Sequence, residues 1–283
     1  YILQITITKR RQRKLQAALR KDPLFHFNYK GVRFLIVLDP INGYVDEKIC
    51  DEGVFEPEML DAFMKYVEPG MTFVDIGANI GQHTLFASQL VGHTGHVVSF
   101  EPIPRLYRQL KRSIEANHLA YVNLINAGCG DREEHLDIYM DNSNIAASSI
   151  IKPDTMNKLT TESIHIIRAE PILLPYKKVD VMKIDVEGYE YRTLLGLEEI
   201  LKRDKPVIFL EYTPTFYKKM PLTDGKHEGL LLLSLFEKYE YRMEGLDKRY
   251  LDETNELVSW GEKYDEETRG MPHVQTNIIF SVL

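Results

Sequence analysis

Two cysteines, Cys50 and Cys129, are all that 283 residues carry, and neither stands in a Cys-x-x-Cys pair or beside a paired histidine spacing. A structural zinc site is not expected from that usage, and a reducing, cytoplasmic setting is. Long apolar runs are also missing. VRFLIVL and LLLLSLF fall well short of the roughly 18–20 residues that a membrane-spanning helix needs, so no transmembrane segment is expected. Positive charge is in deficit, with 35 basic against 42 acidic residues and a net charge of −7. That balance speaks against a large nucleic-acid or anionic-membrane surface. No secretory signal, internal repeat or low-complexity tract is visible, in a sequence that starts at Tyr1. The remainder is ordinary globular composition, 44% hydrophobic and 27% charged, enough for one large α/β domain with additions.

The most informative stretch is Thr72–Thr84, TFVDIGANIGQHT. A short apolar strand breaks at Gly77, passes Asn79 and Gly81, and runs into an apolar-periodic segment expected to be a helix over Ile80–Val91. Strand, glycine turn and helix start are the parts of a nucleotide-type cofactor cradle. A dinucleotide fits poorly, because its fingerprint needs a second glycine where this chain has Asn79. Asp75, just before the turn, would repel phosphate and attract an ammonium group. A ligand with a zwitterionic amino-acid end suits both features, its carboxylate meeting the free N–H groups of the turn and helix start. S-adenosyl-L-methionine has such an end. The next strand, His96–Phe100, ends in Glu101, about 20 residues after the turn, where an acidic residue can accept both ribose hydroxyls.

DIGANIGQHT, VVSFEPIP, VDVMKIDVEGYE and a strand ending in IFLEY together resemble the FkbM family of S-adenosylmethionine-dependent methyltransferases. The resemblance covers roughly Gly53 to Tyr212, and the KIDVEG segment, Lys183–Gly188, is its specific part. It implies a class I methyltransferase (Rossmann-like) fold: seven strands, mostly parallel, helices on both faces, one strand reversed. It also implies O-methylation of a hydroxyl on a sugar, glycan or macrolide-type product. Many members carry Thr-Leu-Asp before the KIDVEG strand. This chain has Ile172-Leu173-Leu174 there, which puts any role of that aspartate in doubt.

Taken in order, residues 1–22 form a basic helical stretch, read as a solvated helix or linker in preference to a nucleic-acid or membrane arm. Residues 23–70 read as a hairpin of Leu24–Tyr29 with Val32–Leu38, then a helix over Pro57–Val67, which together resemble the family's N-terminal cap over the cofactor site. Glu56 before that helix faces the site or serves the helix start. Residues 71–283 are the methyltransferase domain, with strands at Thr72–Ile76, His96–Phe100, Val122–Asn126, Val179–Ile184, Pro206–Glu211, Tyr241–Met243 and Thr276–Val282. Helices are expected over Arg105–Asn117, Tyr189–Lys202 and Gly229–Lys238. The stretch 128–178 breaks the alternation as a substrate-side insertion, with an extra strand at His135–Met140 and a loop at DNSNIAASS.

Ligands of open α/β sheets bind beyond the carboxyl ends of the strands. The expected cofactor contacts are Asp75, Gly77, Asn79, Gly81, Glu101, Asn126 and Asp185. The expected acceptor contacts are Asn142, Asn144, Ser148, Ser149 and Glu211. A hydroxyl nucleophile must lose its proton, so a base is needed within hydrogen-bond reach. Asp185 is the best placed, with His83 the other candidate because histidine titrates near neutrality. Lys183, inside an apolar strand, needs an anionic partner, with Glu211 or Glu101 as candidates, and is either structural or catalytic. Glu187 flanks Gly188 at a helix start, so part of its signal is electrostatic support of that helix. Asp185 and Glu211 are two possible ligands for a divalent cation, too few for a metal site to be expected. Two other readings are a nucleic-acid methyltransferase using the basic N-terminus, and a non-catalytic glycan-binding or scaffold module. The absence of an Asn-Pro-Pro-Tyr motif speaks against the first, and the joint presence of Asp75, Gly77, Gly81, Glu101 and Asp185 against the second.

Overall fold

A computed structural model of the chain describes residues 17–19, 21–39, 43–141, 144–149, 159–219, 222, 225–245, 257–268 and 276–282. Most of the basic segment 1–22 therefore lies outside the described residues, although Leu19 is buried in the core. The N-terminal hairpin pairs β1 (Leu24–Tyr29) with β2 (Val32–Val37), Tyr29 opposite Val32. Lys30 and Gly31 both take positive φ in the turn, the conformation that matches the twist of a tight hairpin. Helix α1 (Tyr44–Glu52), unexpected from the sequence, follows, and α2 (Pro57–Tyr66) opens on its proline.

Strand β3 (Thr72–Ile76) is buried along its whole length, as a strand covered on both faces should be. Next come α3 (Gln82–Val91), β4 (His96–Phe100), α4 (Pro104–Ala116) and β5 (Val122–Ile125). Helix α3 begins two residues later than periodicity suggested, because Gly81, at φ 93°, forms its left-handed N-cap. The insertion is not mainly loop. It builds a second sheet from β6 (Gly128–Cys129), β7 (Glu134–Asp141), β8 (Asn144–Ser149) and β9 (Leu159–Ile167), in the order β6-β9-β7-β8. The Asn/Ser-rich segment read as loop is thus a strand over 144–149. It is an edge strand held by backbone pairing to β7, and edge pairing does not require an apolar alternation.

The chain then returns through α5 (Glu170–Leu173) to β10 (Val181–Ile184). Two helices, α6 (Glu190–Leu195) and α7 (Glu198–Asp204), replace the single one expected over Tyr189–Lys202. The break falls at Gly196, where a Cβ would stand 2.1 Å from the Gly130 carbonyl, so the chain turns against the insertion. The remaining elements are β11 (Val207–Tyr212), α8 (Pro214–Tyr217), α9 (Glu228–Lys238), β12 (Arg242–Gly245), α10 (Leu257–Glu267) and β13 (Thr276–Ser281).

The main sheet has the order β12-β13-β11-β10-β3-β4-β5, with β13 antiparallel to both neighbours. This is the seven-stranded, mostly parallel class I methyltransferase sheet. Strand alternation divides the core in two. Phe73, Val97, Val181 and Phe209 face α2, α3, α4 and the hairpin. Val74, Ile76, Val98, Met182, Ile184, Ile208 and Leu210 face α6, α7, α9 and α10. The same alternation puts Asp75, Lys183 and Glu211 on the face of Phe73, Val181 and Phe209. From β3 the chain steps outward to β4 and β5, then crosses back to β10 on the other side of β3. The crevice at that reversal, between the tips Ile76 and Ile184, is where ligands of such sheets bind.

Candidate active site

The glycine turn is closed by its own backbone. The N–H groups of Gly77 and Ala78 donate to the Phe100 carbonyl at 3.1 and 2.9 Å, and Gly81 N–H donates to Ala78. Asn79, at φ 53°, donates its N–H to Glu101 Oε2 at 2.8 Å, and its own Oδ1 accepts Ile80 N–H. The turn N–H groups expected to meet a ligand are thus engaged internally. Those of Gln82, His83 and Thr84 stand in the first turn of α3, where no intrahelical acceptor exists. Gly77 is required by packing as well as by φ 83°, since a Cβ would stand 1.9 Å from the Asp185 carbonyl oxygen.

Beside this turn lies a cleft of about 690 Å³, partly open to solvent. Gly77, Asn79, Glu101, Asp185 and Glu187 form its polar side, and Ile103, Leu106, Ile138, Ile164 and Ile166 its apolar side. The insertion therefore contributes to the cleft through isoleucines of β7 and β9, which the sequence reading did not single out. Glu101 is almost fully buried, and each of its oxygens accepts one backbone N–H at 2.8 Å, from Asn79 and from Ile103. Burial nevertheless pushes its carboxyl up to about 7.

Asp75 is enclosed beneath α3 and does not line the cleft. Its Oδ2 accepts the Thr84 hydroxyl at 2.6 Å, and its Oδ1 faces Lys183 Nζ at 3.5 Å. Lys183 also reaches Asp185 at 3.1 Å and donates to the Gly77 carbonyl at 2.8 Å. Its partners are thus Asp75 and Asp185, not Glu211 or Glu101. The reason is register, which sets Lys183 directly opposite Asp75 on the adjoining strand. Burial opposes the lysine's charge, but Asp185 and Asp75 outweigh it and hold its pKa above the usual value.

A group of acids gathers where β10 and β11 end. One oxygen each from Asp185, Glu187 and Glu211 lies within 4.8 Å of the others. Glu187 joins them from a left-handed backbone, φ 52°, a conformation no pattern in the sequence signals. Burial, then Asp185 and Glu190, raises the Glu187 carboxyl well above its ordinary range. Burial, then Asp185, Glu187 and Glu56, does the same to Glu211. Glu56, also left-handed at φ 47°, completes the group, and burial followed by Asp185 lifts it to about 7. Its segment is clamped by Gln82, whose side chain accepts from Phe55 N–H at 2.8 Å and donates to Phe55 C=O at 2.7 Å.

His83 is buried, with its ring edge-on to Phe63 and Nε2 3.7 Å from Glu56 Oε2. Burial and then Lys183 push its pKa well below the ordinary histidine value, so the near-neutral titration expected of it is lost. Asn126 is exposed, and its amide donates to the carbonyls of Glu101 and Pro102 at 2.8 and 3.1 Å, away from the cleft lining. Asn142 lies outside the described residues, and Asn144, Ser148 and Ser149 belong to the backbone of β8.

The family described as Methyltransferase FkbM domain matches residues 75–243. Methyltransferase sdnD of Sordaria araneosa is 25% identical over 199 residues, 58% of this chain and 76% of that protein. Hexuronic acid methyltransferase AglP of Haloferax volcanii is 27% identical over 150 residues, 52% of this chain and 58% of that protein. The solved methyltransferase FkbM from Methylobacillus flagellatus KT superposes with a TM-score of 0.43 at 14% identity, covering 83% of this chain and 52% of that one. The family match takes in more than half of the chain, including the glycine turn and the tips of β4, β10 and β11. On that ground the chain belongs to the FkbM family of S-adenosylmethionine-dependent methyltransferases.

Proposed function

We propose that this chain transfers the methyl group of S-adenosyl-L-methionine to a hydroxyl oxygen of a sugar, glycan or polyketide-like product. The observation that carries the reading is the double position of Asp185, which lines the cleft and also belongs to the acid group. The donor set suits the cofactor. Glu101 keeps lone pairs beyond its two backbone bonds, enough for a pair of ribose hydroxyls. Ile103, Leu106, Ile164 and Ile166 offer apolar walls to an adenine ring. The first turn of α3 offers N–H groups to a carboxylate.

When bound, the cofactor supplies an electrophilic methyl carbon on a positively charged sulfur. The chain's own work is to orient the acceptor in line with it and to receive the hydroxyl proton. Asp185 is the residue for that proton. Glu211 and Glu187, close beside it, would hold further hydroxyls of a polyol acceptor. The similarity to hexuronic acid methyltransferase AglP supports a sugar among the acceptor classes. The test is transfer of a labelled methyl group to uronic acids, neutral sugars and macrolide alcohols in turn. Label on an acceptor oxygen supports the reading, whereas label on nitrogen or carbon overturns it.

A further inference from the structure

We infer that Glu190 is a positioning residue: its buried carboxylate fixes the loop that carries Asp185 and Glu187 and ties that loop to the segment after β11. Its part in catalysis rests on the methyl-transfer reading, whereas its hydrogen bonds do not. Glu190 opens α6, where a carboxylate ordinarily serves the first N–H groups of its own helix. Here it turns back instead. Its Oε1 accepts the N–H groups of Gly188 at 3.1 Å and Val186 at 3.3 Å, both before the helix. Its Oε2 accepts the Tyr217 hydroxyl at 2.6 Å. The residue is 2% exposed, and burial raises its carboxyl while the Tyr217 and Gly188 hydrogen bonds work against that rise.

The loop needs such a hold. On its strand side Asp185 N–H still donates to the Ile76 carbonyl at 3.1 Å, but residues 186–188 have left the sheet. Glu187 and Gly188 then take φ 52° and 101° in succession. For a residue with a side chain that conformation is strained, and it persists only where the surroundings over-determine it. The two N–H groups that Glu190 accepts bracket Glu187 on either side. Asp185, Val186 and Glu187 all line the cleft, so the shape of the loop sets where the Asp185 carboxylate stands against it. Tyr217 is a firm anchor. It is fully buried, and a Cβ on Gly229 of α9 would stand 2.6 Å from its ring. Tyr217 follows β11, whose end carries Glu211, so Glu190 links the loops of two neighbouring strands through its two oxygens.

The test compares the full chain with Glu190→Ala, Glu190→Gln and Tyr217→Phe. Amide hydrogen exchange at Val186 and Gly188 reads the loop without any acceptor, and turnover is measured with the acceptor that labelled-methyl transfer identifies. In Glu190→Ala both amides should exchange at least about tenfold faster. Its kcat should fall about 10–100-fold with KM little changed. Glu190→Gln should recover most of both, since its amide oxygen can accept the two N–H groups and its NH2 can donate to the Tyr217 oxygen. If Glu190→Ala does not fold, Tyr217→Phe decides, because it keeps the packed ring and removes only the hydroxyl that Glu190 accepts; its kcat should fall at least severalfold. Unchanged exchange and kcat in the deciding variant overturn the proposal, as does a loss confined to KM. Glu190→Gln as slow as Glu190→Ala also overturns it, since the charge and not the hydrogen bonds would then matter. A parent that labels no acceptor, with the exchange contrast intact, overturns the methyl-transfer reading and the catalytic role with it, but not the clamp on the loop.

Discussion

Lys183 is the residue on which the site's charge balance turns. It is 3% exposed, touches Asp75 and Asp185, and holds the Gly77 carbonyl of the glycine turn. Removing its charge would leave Asp75 buried without a counter-ion. Lys183→Met should therefore destabilise the fold by about 3–5 kcal/mol, read from urea unfolding, and adding Asp75→Asn should recover part of the loss. Equal stability of Lys183→Met and the parent would show that the pair does not hold the fold together. The proposed methyl transfer rests its proton step on Asp185. Asp185→Asn keeps the shape but cannot take a proton, so turnover should fall by about 10²–10⁴-fold while S-adenosylhomocysteine affinity is kept. His83→Ala should be far less damaging, since the buried imidazole does not line the cleft. The reverse ranking would move the base to His83.

Among the elements, the β3–α3 unit fixes the geometry of the cleft. Gly77 and Gly81 both need positive φ, and a Cβ on either would collide, with the Asp185 carbonyl or with Leu110. Gly77→Ala should therefore push β10 away from the turn and abolish S-adenosylhomocysteine binding, whereas Gly31→Ala, with open space around its Cβ site, should leave binding intact. Binding that survives Gly77→Ala would mean that the turn is not the cradle. This unit was legible in the sequence because strand period, glycine spacing and the acid at the next strand tip all agree. The face shared by Asp75, Lys183 and Glu211 also follows from period two alone. Which of them touch does not, because that depends on register between strands distant in sequence, and so Lys183 was assigned the wrong partners. Glu187 and Glu56 enter the acid group through left-handed backbones, which a carboxylate at a helix start does not announce. Strand β8 escaped because an edge strand needs backbone partners more than an apolar pattern.

On the scale of the whole molecule, one crevice collects the end of four strands, a cap segment and a wall of the second sheet. The cost is a set of buried acids. Burial raises Glu56 and Glu101 to about 7 and, away from the crevice in α1, Asp46 to about 6. In the folded chain these groups hold protons that the unfolded chain releases above its ordinary carboxylate range. Their contribution is complete below the unfolded pKa and is lost as pH rises through the folded values. The melting temperature of the ligand-free protein should thus fall between pH 5 and about 7, less so in Asp46→Asn. A rise over that window would contradict these shifts. The most direct test of the central claim is calorimetric titration of S-adenosylhomocysteine into the parent chain and into Glu101→Ala. The cleft reading requires one-to-one saturable binding to the parent, weakened by about 1–3 kcal/mol in the variant. No binding to the parent, or equal affinity in both, would contradict it.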